Sequence, residues 1–160
     1  MMPRLKLCSF LTLVAVASLR ADTAPILTGW DHVSVAPMKT SIYVGTVTLV
    51  PGVFVRDGAV LATTYEAKVR PWFFWGEKGR IAITLAEAEL ANLAKGERAQ
   101  FTGDATNHRN KPRTVTGYAQ PLDATSGKMK VRILADGIEL IFNGTYRFGG
   151  EKQGGRALEP

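Results

Sequence analysis

The sequence predicts an all-β fold, predominantly antiparallel, with about seven strands in a small barrel or sandwich and one short α-helix near residues 85–95. Three patterns carry that expectation. From Lys128 to Phe148 two alternating runs flank Ala135-Asp136-Gly137. Met129, Val131 and Ile133 alternate with Lys128, Lys130 and Arg132; Ile138, Leu140, Phe142, Tyr146 and Phe148 share one parity of the second run, interrupted by Gly144. Two period-two runs joined by Asp-Gly mark a β-hairpin. From Ala59 to Arg70 the alternation recurs, with Ala59, Leu61, Thr63, Tyr65, Ala67 and Val69 on one face and Thr64, Glu66, Lys68 and Arg70 on the other. The third pattern is a lone helical segment between β-rich stretches.

Taken in order, the chain opens with Arg4 and Lys6, then an uncharged apolar run from Leu7 to Ser18, then small residues ending at Ala21. This is the plan of a secretory signal peptide, expected over residues 1–21. The apolar run is too short to span a bilayer core that needs roughly 20 residues. The exported chain is therefore expected in the cell envelope, periplasmic or extracellular, with no integral membrane span after cleavage. Cys8, the one cysteine, lies inside the signal. The remainder has no thiol for a disulfide, a metal site or nucleophilic catalysis. The formal charge of +6 includes Arg4, Lys6 and Arg20; without them 17 cations face 14 acids, a net +3. Only His108-Arg109-Asn110-Lys111-Pro112-Arg113 groups cations, which argues against nucleic acid as a partner.

Residues 22–39 read as a lead-in with a short Val33, Val35 alternation, and residues 40–148 as a single β-rich domain. Thr40 to Val50 is rich in β-formers, Ile42, Tyr43, Val44, Val47, Thr48, Leu49 and Val50, and ends at Pro51-Gly52. Arg56-Asp57-Gly58 reads as a hairpin turn, and Gly76 to Gly79 as a turn before a strand holding Ile81, Ile83 and Leu85. The helix has Thr84 and Glu87 at capping-box spacing, Leu90 and Leu93 on one face, and Lys95-Gly96 at its end. It is expected to plug one end of the sheet or barrel. Phe101-Thr102-Gly103 resembles Val115-Thr116-Gly117, and a hairpin centred near Asn110 would set Gly103 opposite Gly117. Residues 149–160 read as a flexible tail.

Candidate chemistry is sparse. Asp31-His32 are strand neighbours expected to point to opposite faces. His108 falls in a polar turn. No zinc-protease, nucleophile-elbow or phosphate-loop motif occurs. The reading is no catalytic residue, no metal and no cofactor, hence no enzyme. Asn143-Gly144-Thr145 fits a glycosylation acceptor, meaningful only where the secretory pathway glycosylates.

The feature that invites a functional reading is Trp72-Phe73-Phe74-Trp75, flanked by Arg70, Lys78 and Arg80. Four aromatics along a strand cannot all face one core, so two should point outward unless covered. Beside cations they suit a bilayer interface, an anionic amphiphile or a partner surface. Two functions follow. One is a non-enzymatic envelope binding module for a lipid or other apolar ligand, held in a cavity lined by Tyr65, Phe101, Phe142 and Tyr146. The other is a structural or adaptor protein that binds an envelope protein through the aromatic patch. An outer-membrane barrel fits less well, because Lys128, Lys130, Arg132 and Glu139 occupy the outward parity. The hairpin-rich plan resembles small periplasmic lipid-binding barrels in architecture alone, and fold does not imply function.

Overall fold

The computed structural model describes residues 30–150. The expected signal, Cys8, the first part of the lead-in and residues 151–160 of the expected tail lie outside them. The described residues form one antiparallel sheet of ten strands with one α-helix. In chain order the strands are β1 (Trp30–Val35), β2 (Met38–Ile42), β3 (Gly45–Pro51), β4 (Phe54–Asp57), β5 (Val60–Arg70), β6 (Glu77–Thr84), β7 (Ala99–Asn107), β8 (Pro112–Pro121), β9 (Ser126–Ala135) and β10 (Ile138–Gly150). The helix α1 spans Glu87–Ala94.

Eight strands close on themselves in the order β1, β4, β5, β6, β7, β8, β9, β10, with β10 returning to β1. The fold is a closed barrel, and the sandwich alternative falls away. Ten strands are counted rather than eight because two long strands are broken. Val33 stands opposite Phe54 and Met38 opposite Leu49, so one hairpin register runs through both the β1–β4 and β2–β3 pairs. Ala36-Pro37 breaks the first arm and Gly52-Val53 the second, since proline offers no N–H to a ladder. β3 continues past β4 along the far half of β5.

The strand that seals the barrel comes from the expected lead-in. Val33 pairs with Phe148 and Val35 with Tyr146. β10 runs on through Gly149 and Gly150, so the first two residues of the expected tail belong to this seam. Closure removes the open edges that a sheet otherwise exposes.

The hairpin of β9 and β10 is as the alternation predicts. Met129, Val131, Ile133, Phe142 and Tyr146 are buried, and Lys128 and Arg132 are exposed. Asp136 and Gly137 both take positive φ, 49° and 83°, which is what a two-residue hairpin turn twisted like its strands requires. The β7–β8 register differs from expectation by two residues. Phe101 faces Gly117, and Gly103 faces Val115. The turn centres one residue earlier, because Asn107 Oδ1 accepts from the backbone N–H of both Arg109 and Lys111 at 2.9 Å and fixes a tight loop. The gap at Gly117 is filled by the Phe101 ring: a Cβ there would stand against the Lys130 carbonyl and 2.5 Å from Phe101 Cζ. Gly117→Ala should therefore lower stability by about 1–3 kcal/mol, read as a lower urea midpoint.

The helix is as expected in place but not in its cap. Ala86, not Thr84, is the N-cap, and no side chain caps it. Thr84 is still paired in β6 with Thr102, so it is not free to turn into the helix. Glu89 instead accepts from the Gln100 N–H at 2.6 Å, tying α1 to β7. Leu93 is buried, and Gly96, at φ 77°, ends the helix. Leu93 closes one barrel end over Trp30, Phe101 and Tyr146, around a void of about 40 Å³. Of the four side chains expected to line a cavity, Phe101 and Tyr146 border this void, and Tyr65 and Phe142 are packed in the core. That void is well below the roughly 300 Å³ of a small-ligand pocket.

Candidate functional site

The barrel end opposite α1 carries the aromatic segment. There β5 ends, β6 begins, and the β2–β3, β7–β8 and β9–β10 turns come together. Phe73–Trp75 form one turn of 3-10 helix rather than a strand. A 3-10 turn has about three residues per turn and fans its side chains around an axis instead of alternating them between two faces. All four aromatics are accordingly exposed: Trp72 42%, Phe73 82%, Phe74 60% and Trp75 53%. The expectation that two would point inward does not hold. The rings brace one another instead. Trp72 meets Trp75 at 5.8 Å and Phe74 edge-on at 5.9 Å between centroids, and Phe74 meets Trp75 edge-on at 5.8 Å. Such contacts hold an exposed group in a defined shape.

Two further apolar side chains share this rim. Tyr43 and Val44, at the β2–β3 turn, are exposed, and the next residue, Gly45, lies against the Arg70 carbonyl and Pro71. Sequence reasoning treated Tyr43 and Val44 as strand residues. Their role becomes visible only when the hairpin register places them at the turn beside the aromatics.

Beneath the aromatic turn lies a polar plug that the sequence reading missed. Glu77, the first residue of β6, accepts from Tyr65 Oη at 2.8 Å, Asn107 Nδ2 at 2.9 Å and Arg113 Nη2 at 3.1 Å. Arg113 also donates to both oxygens of Asp136, at 3.0 and 3.1 Å. Arg113 and Asn107 are each 5% exposed. Both continue the inward parity of their strands, Arg113 with Val115 and Ala119, Asn107 with Phe101 and Ala105. That parity was the available signal.

Burial pushes the Glu77 carboxyl upward, but hydrogen bonds from Arg113, Asn107 and Tyr65 and the Arg113 charge pull it below the ordinary carboxylate range. Burial, and then the bond to Glu77, raise the Tyr65 phenol far above its usual value. Tyr65 is thus a fixed donor, and the plug is an ionised floor in which Arg113 pairs through Nη1 and Nη2 while its buried Nε has no partner among the described residues.

The predicted flanking cations divide. Lys78 reaches Glu66 at 3.4 Å, as does Lys68. Arg70 has no carboxylate partner among the described residues. Arg80 points outward from the barrel wall, paired by backbone with Thr64 and Thr106, away from the aromatic turn. The basic segment after Asn107 adds His108, Arg109 and Lys111 to the rim, with Lys111 3.6 Å from Asp136.

At the opposite end a bulge between Trp30 and His32 lets the Asp31 carboxylate meet His32 Nδ1, contrary to the expectation for strand neighbours. No third group joins them: among the described residues no cluster of three His, Cys, Asp or Glu could hold a metal ion. Nor, among the described residues, is any helix long and apolar enough to cross a membrane.

Fold and site together define a closed antiparallel barrel with a packed interior and an aromatic, cation-flanked rim. No family model, curated protein or solved structure matches the chain, so the function rests on this geometry.

Proposed function

We propose that the chain is an exported, non-enzymatic binding module of the cell envelope that docks by its aromatic rim on an anionic lipid surface. The observation that carries this is that all four rings of the turn at one barrel end are exposed, none of them buried in the core. Leaving so much apolar area in water is unfavourable unless another surface covers it. The rings suit the interfacial zone of a bilayer, where amphipathic aromatics settle. The surrounding cations choose between occupants. Arg70, Lys78, Arg109 and Lys111 ring the turn, and each Lys or Arg near an anionic surface contributes about 1 kcal/mol. A protein partner, the adaptor reading, would not require that ring of positive charge. The packed interior supports binding on the outside of the barrel rather than within it.

Vesicle co-sedimentation tests this. The wild-type chain should sediment with vesicles containing phosphatidylglycerol, and release should rise with salt. Trp72→Asp with Trp75→Asp should abolish binding and leave the circular-dichroism spectrum unchanged, because neither ring is in the core. Unaltered vesicle binding by the double variant would reject the proposal.

A further inference from the structure

The aromatic turn separates two clefts. The larger, about 670 Å³, lies between the end of β5 and the turn, with Ala67, Val69 and Phe73 as apolar walls and Lys68, Arg70 and Lys78 at its margin. The smaller, about 210 Å³, lies above the polar plug between Phe74 and Trp75 on one side and Arg109 and Lys111 on the other. They share Gly76, Glu77 and His108, so they are adjoining chambers rather than separate dents.

Charge is unequal across them. The carboxylates are already engaged: Glu66 by Lys68 and Lys78, Glu77 by Arg113, Asp136 by Arg113 and Lys111. Among the described residues Arg70 and Arg109 have no carboxylate partner. The main chain at Arg109 is fixed by its N–H, which donates to the buried Asn107 Oδ1, so the exposed side chain starts from a defined point on the rim. One chamber thus offers apolar walls, and the next is bordered by an uncompensated cation. Their volumes fall in the range of about 300–1,000 Å³ typical of ligand sites when taken together.

We infer that the two clefts form one binding site for a single anionic amphiphile, with its hydrocarbon chain along Phe73 in the larger cleft and its anionic head at Arg109 in the smaller. This deepens the docking proposal and rests on the same rim. It adds that the rim takes up one molecule, in addition to resting on a surface.

Dodecyl phosphate below its micelle concentration is the probe, followed by tryptophan fluorescence and titration calorimetry on the full chain. Saturable one-to-one binding is expected. Arg109→Glu should weaken dodecyl phosphate about tenfold or more and leave dodecanol unaffected, because only the head is charged. Phe73→Ala should weaken both. Both positions are exposed, so the barrel should remain folded. Absence of saturable binding, equal loss of both probes in Arg109→Glu, or full competition by inorganic phosphate alone would each overturn the inference. Vesicle docking that persists without dodecyl phosphate binding removes this site and leaves the docking proposal standing. Dodecyl phosphate binding without vesicle docking does the reverse.

Discussion

Arg113→Met should destabilise the barrel by about 3–5 kcal/mol, the range for removing one partner of a buried ion pair. The reason is what remains. Glu77 would keep its place under the aromatic turn, with Tyr65 and Asn107 still donating, but without its cation. Asp136, exposed on the hairpin turn, could rehydrate; Glu77, 22% exposed, could do so only in part. Arg113→Met with Glu77→Gln should recover much of the loss, because the uncompensated charge is then gone. Urea denaturation of the two variants separates a charge effect from a volume effect. Equal losses would mean that the arginine stem, not its charge, matters.

The same network sets a pH dependence. Glu77 is depressed in the folded state, so its contribution is present above the unfolded carboxylate value near 4.3 and is lost as pH falls through the lower folded value. Wild-type stability should decline below about pH 4.3 more steeply than that of the Arg113→Met, Glu77→Gln variant.

The barrel wall was largely legible in the sequence because a half-buried strand writes its two faces into alternate residues. Met129, Val131 and Ile133 against Lys128 and Arg132, or Leu61, Tyr65 and Val69 against Lys68 and Arg70, need no coordinates to sort. Three things escaped that reasoning. Register was one: Gly103 and Gly117 looked symmetrical, but the Asn107 side chain tightened the turn and moved the pairing by two. The polar plug was another, because Arg113 reads as one more cation of the 108–113 group until its carboxylates, far away in sequence at Glu77 and Asp136, are brought to it. The third was the aromatic turn. Its four residues were recognisable as unusual, yet their exposure depended on leaving the strand geometry, which period-two reasoning assumes.

Deleting Trp30–Val35 should leave a chain that no longer unfolds cooperatively and that self-associates on size exclusion. This segment looked like a lead-in because six residues with one short alternation carry little pattern. Its energetic role comes from position. Trp30 is buried, stacks on Phe148 at 4.6 Å and carries Arg56 over its ring at 4.5 Å. Val33 is buried against the same seam. Losing a buried Trp and Val removes at least about 3–5 kcal/mol of apolar burial, a large share of the roughly 5–15 kcal/mol that keeps a domain folded. The deletion also unpairs β4 and the end of β10 together, turning a closed wall into two bare edges. If the chain lacking Trp30–Val35 stays monomeric and unfolds at the wild-type urea midpoint, closure is not what stabilises this sheet, and the packed interior around Phe142 must do so alone.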